Sequence, residues 1–278
     1  MAYDDERRSQ LRVLVVTGGH PFDAPAFFEV FDSNRDVEWE HTSHPQAQER
    51  LCRIQPGDFD ALVFYDMPGV GLRRGDVPEP SPPPPDLVTA LTRLLDQGQG
   101  AVFLHHSIAS WPAWEDYAHW VGGRFFYQSG RLAGTSWPDS GYAFDVTQRL
   151  VDVSAGHPVL EGLEGGFDIT DECYLAAVLE DEVVPLLRSD ARFESDCFFS
   201  AAAAVAGRRD SRDGWTHPTG SNVVVWAKTA RRSPVVYIQP GDGPSAYTNP
   251  SWRRLVANSI RWVASTQAHV WADARPGV

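Results

Sequence analysis

Residues 12–16 read Arg-Val-Leu-Val-Val and run straight into Thr17, Gly18, Gly19, His20 and Pro21. A short, apolar, β-branched run ending at a glycine pair predicts a strand buried on both faces of a parallel sheet, followed by a loop. Outward from it, 24–31 (APAFFEVF) can bury one face as a helix, 37–41 alternates like a strand, and 61–65 (ALVFY) is another buried strand. This alternation predicts an α/β fold of the flavodoxin- or Rossmann-like three-layer kind, with right-handed crossovers. Residues 78–85 (PEPSPPPP) predict a loop, because proline lacks the amide donor and fixes φ. A helical pattern from Leu87 (LVTALTRLLDQG) and a fourth buried strand at 100–104 (GAVFL) follow at once, so one sheet continues across the prolines.

Further strands are expected at 142–147, 183–188, 222–228 and 234–239, separated mostly by turns. The sheet is thus mostly parallel, with a partly antiparallel C-terminal half, and an amphipathic helix over 252–265 closes it. The segment 201–213 (AAAAVAGRRDSRD) reads as a mobile surface excursion. The expected organisation is a polar N-terminal tail over 1–10, a single α/β domain over 11–266 and a C-terminal tail over 267–278.

Of the 278 residues, 42% are apolar and 22% charged, which is enough apolar surface for a substantial core. No run of about 18 apolar residues occurs and the first ten residues are polar, so a cytoplasmic protein is expected, with no membrane partner. The formal charge of -13 disfavours nucleic acid and anionic lipid, which both need a cationic surface. Cys52, Cys173 and Cys197 lack CxxC or CxxH spacing, so free thiols are expected. A neutral small molecule fits better as ligand, and ten tryptophans add a hint of sugar stacking beside their ordinary role in a core.

Loops after parallel strands line the crevice in which α/β sheets bind ligands. Two such loops carry histidine: Gly18-Gly19-His20, and Leu104-His105-His106-Ser107. Neither GxGxxG nor GxxxxGK[ST] is present, so nucleotide binding is unsupported. On an extended segment adjacent histidines point to opposite sides, so one of His105 and His106 is expected to face the cleft while the other supports it. For any one histidine the bland reading is a core or hydrogen-bonding role; His20 at a neighbouring strand end brings catalysis level with it. A carboxylate pair and a phenol follow at 171–174 (Asp171, Glu172, Tyr174), and Asp242 follows the apolar strand VVYIQ.

The chain resembles the trehalose-utilisation (ThuA-like) family, whose fold is like the class I glutamine amidotransferases. The resemblance runs through VLVVTGGHPFD, VFLHHSIASWPAWEDY, VGGRF, DSGYAFDV, GHPVLEGL, FDITDECYL, VVPLL, VVYIQPGDGPSAY and NPSWRRLVANSIRWVAS. An amidotransferase needs a cysteine at its strand-to-helix elbow; here the elbow reads FLHHSI, which excludes thiolate glutamine hydrolysis. Ser107 lacks a GxSxG elbow and an obvious base with its orienter. His157, in GHPVLEGL, reads equally as a backbone cap. The family places DE-x-Y toward the cleft, so Glu172 becomes the leading general acid/base, beside His20, His105 and His106 as catalytic candidates. Relatives often have histidine where Asp242 stands, and again near Tyr127-Gln128, which weakens any histidine-only metal cluster.

His20, one of His105 and His106 (His106 the candidate), and Glu172 would make a two-histidine, one-carboxylate set for a divalent metal, zinc above others. The alternative is a ring holding sugar hydroxyls, with Arg124, Asp139, Tyr142, Tyr174 and Asp242, while Trp111 or Trp137 stacks on a sugar face. The resemblance implies a carbohydrate-processing enzyme of sugar catabolism, a hydrolase, lyase or isomerase acting on trehalose, a related disaccharide or its keto derivative. Any redox step would belong to a partner sugar dehydrogenase. Alternative readings are a non-catalytic sugar-binding or regulatory domain, and a structural partner in an oligomeric sugar-catabolic complex; self-association as a homo-oligomer is a separate expectation.

Overall fold

The computed structural model describes residues 10–71 and 79–275. Strand β1 (Leu11–Gly18) forms where the sequence places it, sending Val13 and Val15 into one core and Leu14 and Val16 into another. It is followed by α1 (Ala24–Asp32), β2 (Val37–Ser43), α2 (Gln46–Arg53) and β3 (Ala61–Asp66). Two-residue strands β4 (Val70–Gly71) and β5 (Glu79–Pro80) pair with each other, and α3 (Pro85–Asp96) leads to β6 (Ala101–Leu104). The loop expected over 78–85 is therefore only partly a loop. Pro85 opens α3, where a missing N–H costs nothing, and Pro78 lies outside the described residues.

After a tight turn over His105–Ala109 come α4 (Glu115–Val121), β7 (Gly123–Arg124), the hairpin of β8 (Gly130–Leu132) and β9 (Thr135–Trp137), β10 (Gly141–Asp152) and β11 (Phe167–Leu175). Then follow β12 (Ala177–Val178), which pairs back on β7, β13 (Val184–Ser189), β14 (Phe199–Ser200), α5 (Ala201–Val205), β15 (Val223–Ala230) and β16 (Ser233–Ile238). Helices α6 (Pro244–Tyr247), α7 (Pro250–Val263) and α8 (Thr266–Asp273) complete the chain.

The main sheet has the order β11-β10-β13-β15-β16-β6-β3-β1-β2, with β14 added to β10. Pairing is parallel from β2 through β16 and antiparallel from β15 outward, as the change from buried runs to turn-separated strands predicts. One face is covered by α1, α7 and α8 through Phe27, Phe31, Trp252, Leu255 and Ala268; the other by α2, α3 and α4 through Leu51, Leu87, Leu94 and Trp120. The layers are thus helix, sheet, helix, and the carboxyl ends of β1, β3, β6 and β16 open at one end.

The C-terminal tail expected from 267 is corrected by α8. Ser265 caps it by accepting from Ala268 N, Ala268 and Ala272 are buried one turn apart, and Trp271 lies edge-on to Trp262 at 5.2 Å. The excursion expected over 201–213 is likewise tied down. α5 occupies its first turn, Arg208 N donates to Ala203 O, and Ser200 N donates to Ser211 O. Residues 1–9 of the N-terminal tail lie outside the described residues.

Candidate active site

Strand β6 ends at Leu104, and His105 turns the chain with φ +39, a left-handed conformation that a non-glycine residue holds only at a cost. This is the sharp elbow of the sequence reading. Its turn is not extended, however, so the two histidines do not point apart. Both are buried, and their ring centroids lie 4.4 Å from each other. Ser107 turns its hydroxyl onto the carbonyls of Phe64 (2.7 Å) and Leu104 (3.0 Å), so it anchors the turn.

His105 places Nδ1 2.5 Å from the Gln239 carbonyl and Nε2 3.0 Å from Glu172 Oε2. A carbonyl and a carboxylate both only accept, so both ring nitrogens carry protons and the ring is an imidazolium. Burial opposes that charge, but the Glu172 hydrogen bond and the negative charges of Glu172, Asp242 and Asp171 outweigh it and raise His105 to about 9. His106 is the opposite case. Burial, with the neighbouring His105 and His20, pushes it well below 6.5, so it is neutral, held by Tyr174 Oη at 3.0 Å from Nδ1. His20 lies on His106 with centroids 4.0 Å apart; chiefly through burial it too is lowered, and its Nδ1 has no hydrogen-bond partner.

Asp242 completes the group, its Oδ1 standing 3.6 Å from Nε2 of both His105 and His106. Its loop is held from β11, where Asp171 Oδ2 accepts from the backbone N–H of Gly241 and of Asp242. Burial raises Asp171 to about 6, against the pull of His105 and of those two N–H groups. The buried Gln239 spans β16 and β11 as a strand would. Its Oε1 accepts from Tyr174 N at 3.1 Å and its Nε2 donates to Tyr174 O at 3.3 Å. Tyr65, at the end of β3, joins the Asp242 carbonyl and Tyr247 Oη at 3.0 and 2.7 Å.

Part of this group borders a cavity of about 540 Å³, within the range of small-molecule sites, while His105 and His106 are buried behind its lining. His20, Glu172, Tyr174 and Asp242 form its polar part; Met67, Phe125, Tyr127, Tyr142 and Phe144 give it apolar and aromatic walls. Residues of α5 and Arg209 complete the lining.

Four expected substrate contacts do not line it. Arg124 is buried, donating to Trp114 O at 2.6 Å and lying over Phe126. Asp139 accepts from Ser200 Oγ (2.6 Å) and Ala202 N (3.0 Å), fixing the start of α5. Trp137 sits by His217, with centroids 6.2 Å apart, and Trp111 packs edge-on to His44 while its backbone N–H donates to Pro68 O. In each case the polar or aromatic group is absorbed by local packing. His157 is a cap: Nδ1 accepts from Val159 N.

The sequence reading did not single out Gln239, Tyr65, Phe125, Phe144 and Arg209. Gln239 and Tyr65 close apolar strands, so the strand-end rule could have found them. Nothing in the sequence signals Arg209, which lies in the segment read as mobile.

A divalent ion would find donors here, since one atom each from His105, His106, Glu172 and Asp242 lie within 4.8 Å of one another. The expected set is corrected, because His105 and Asp242 join it and His20 stands outside. The Nδ1 contact of His105 with a carbonyl is the support a metal-bound imidazole needs, although Nε2 would first lose its proton.

The three-layer sheet with its histidine-bearing elbow has a class I glutamine amidotransferase-like fold, without the cysteine at the elbow. The chain belongs to the ThuA (trehalose utilisation) family, whose model matches residues 12–263. Among solved structures it is similar to a ThuA-like protein from Parabacteroides merdae (10% identity, 92% of this chain and 90% of that one, TM-score 0.65). It is also similar to a ThuA-like protein from Bacteroides uniformis (16%, 95% and 96%, TM-score 0.57) and to PurLQS from Thermotoga maritima (10%, 91% and 99%, TM-score 0.53). No curated protein matches. Among the described residues no helix is long and apolar enough to cross a membrane.

Proposed function

We propose that the cavity binds a carbohydrate, trehalose or a related disaccharide or its keto derivative, and that the protein moves protons to and from the bound sugar. The observation that carries the reading is the buried His105 imidazolium, whose Nε2 holds Glu172 at the wall of a cavity that His20 also lines. Glu172 is held in a fixed orientation by that hydrogen bond, as a base requires, and His20 is a second proton-transfer group in the same cavity. Aromatic walls at Phe125, Tyr127 and Phe144 suit apolar sugar faces, and the family's link with trehalose utilisation points the same way. A divalent ion on His105, His106, Glu172 and Asp242, zinc above others, would supply Lewis-acid polarisation of a sugar oxygen. His20, outside that donor set, would keep its part in positioning or proton transfer. Oxidation of the sugar would fall to a partner dehydrogenase working in the same cytoplasm.

Hydrolysis, elimination and isomerisation all use this arrangement. The test is turnover of a disaccharide panel by the wild type, by Glu172→Gln and by His20→Ala, with near-ultraviolet circular dichroism to confirm the fold. Each variant is expected to lose about 100-fold or more of the rate. Sugars that bind without turnover in the wild type would favour the second reading, a sugar-binding or regulatory module, which the missing elbow cysteine supports.

A further inference from the structure

Arg209 stands at the cavity lining on the arm between α5 and β15. Its guanidinium lies 5.7 Å from the centroid of Phe144, and no carboxylate pairs with it among the described residues. The adjacent acid is engaged elsewhere: Tyr142 Oη donates to Asp210 Oδ1 (3.3 Å) and accepts from Asp210 N (2.9 Å). Asp210 holds φ +57, a left-handed turn conformation that aspartate tolerates better than most side chains. Arg212 rests over Phe199 at 4.6 Å, a second guanidinium seated on an aromatic ring on the same arm. The arm therefore brings a guanidinium without a direct ion-pair partner among the described residues to the lining of a cavity whose other charged side chains are Glu172 and Asp242. Arginine gives planar, paired donors that match carboxylate and phosphate oxygens, and the Phe144 ring supports its plane.

We propose that Arg209 reads an anionic substituent, a carboxylate or a phosphate, on the sugar that enters this cavity, so the preferred ligands are acidic or phosphorylated sugars. This rests on the carbohydrate reading above and narrows it. Isothermal titration compares glucuronate and glucose 6-phosphate with glucose and trehalose, in the wild type, Arg209→Gln and Arg209→Lys. The wild type is expected to bind at least one anionic sugar about tenfold or more tightly than the neutral ones, the preference weakening with salt. Arg209→Gln abolishes the preference without weakening neutral sugars, and Arg209→Lys keeps part of it. Whichever anion gains identifies the group read. Neutral sugars binding as tightly as acidic ones, or a preference that survives Arg209→Gln, overturns the role of Arg209 and leaves the carbohydrate reading standing. Binding of none of the four sugars overturns both.

Discussion

His157 shows how a histidine can be held for packing rather than chemistry. Its Nδ1 accepts from Val159 N, and its ring centroid is 4.9 Å from that of Trp262. Burial lowers it to about 4, below the ordinary 6.5 of an unfolded chain. The fold therefore prefers the neutral ring. Its contribution to stability is fully present above pH 6.5 and is lost as pH falls toward 4. Urea unfolding between pH 7 and 4 is expected to show a steeper loss for the wild type than for His157→Asn, which keeps a capping oxygen without a titrating ring. Equal slopes would show that His157 is not buried as described.

At the scale of elements, the site depends on how far β11 stands from β16. In hydrogen-bond order they are separated by β10, β13 and β15, yet Gln239 bridges them through both polar groups of its amide. Gln239→Leu leaves the N–H and C=O of Tyr174 unpaired in a buried setting and is expected to cost about 2 kcal/mol or more. Gln239→Glu, which still accepts but no longer donates, should fall between. A loss below about 0.5 kcal/mol in urea unfolding of the leucine variant would show that the bridge does not hold β11.

Across the whole molecule, the parallel half was legible because β1, β3 and β6 are buried on both faces and so read as unbroken apolar runs. The strand-end rule then placed His20, His105, His106 and Asp242 near one another. What escaped were features set by tertiary contact. The elbow at His105 turns both histidines into one buried group, and the pairing of Tyr142 with Asp210 fixes an arm whose composition reads as loose. Arg124 and Asp139 carry suitable chemistry but are spent on Trp114 O and on the start of α5. Helix α8 was missed because what it buries is small, Ala268 and Ala272, with Trp271 edge-on to Trp262 of the preceding helix.

Proton NMR of trehalose and its keto derivative, incubated in D₂O with the wild type and with Glu172→Gln, tests most directly whether this cavity transforms a sugar. Wild-type protein should change at least one sugar, by loss of a proton signal to deuterium exchange or by appearance of product signals, and Glu172→Gln should leave it unchanged over the same time. Unaltered spectra with wild-type protein under conditions where the sugar is bound would contradict catalysis at this site.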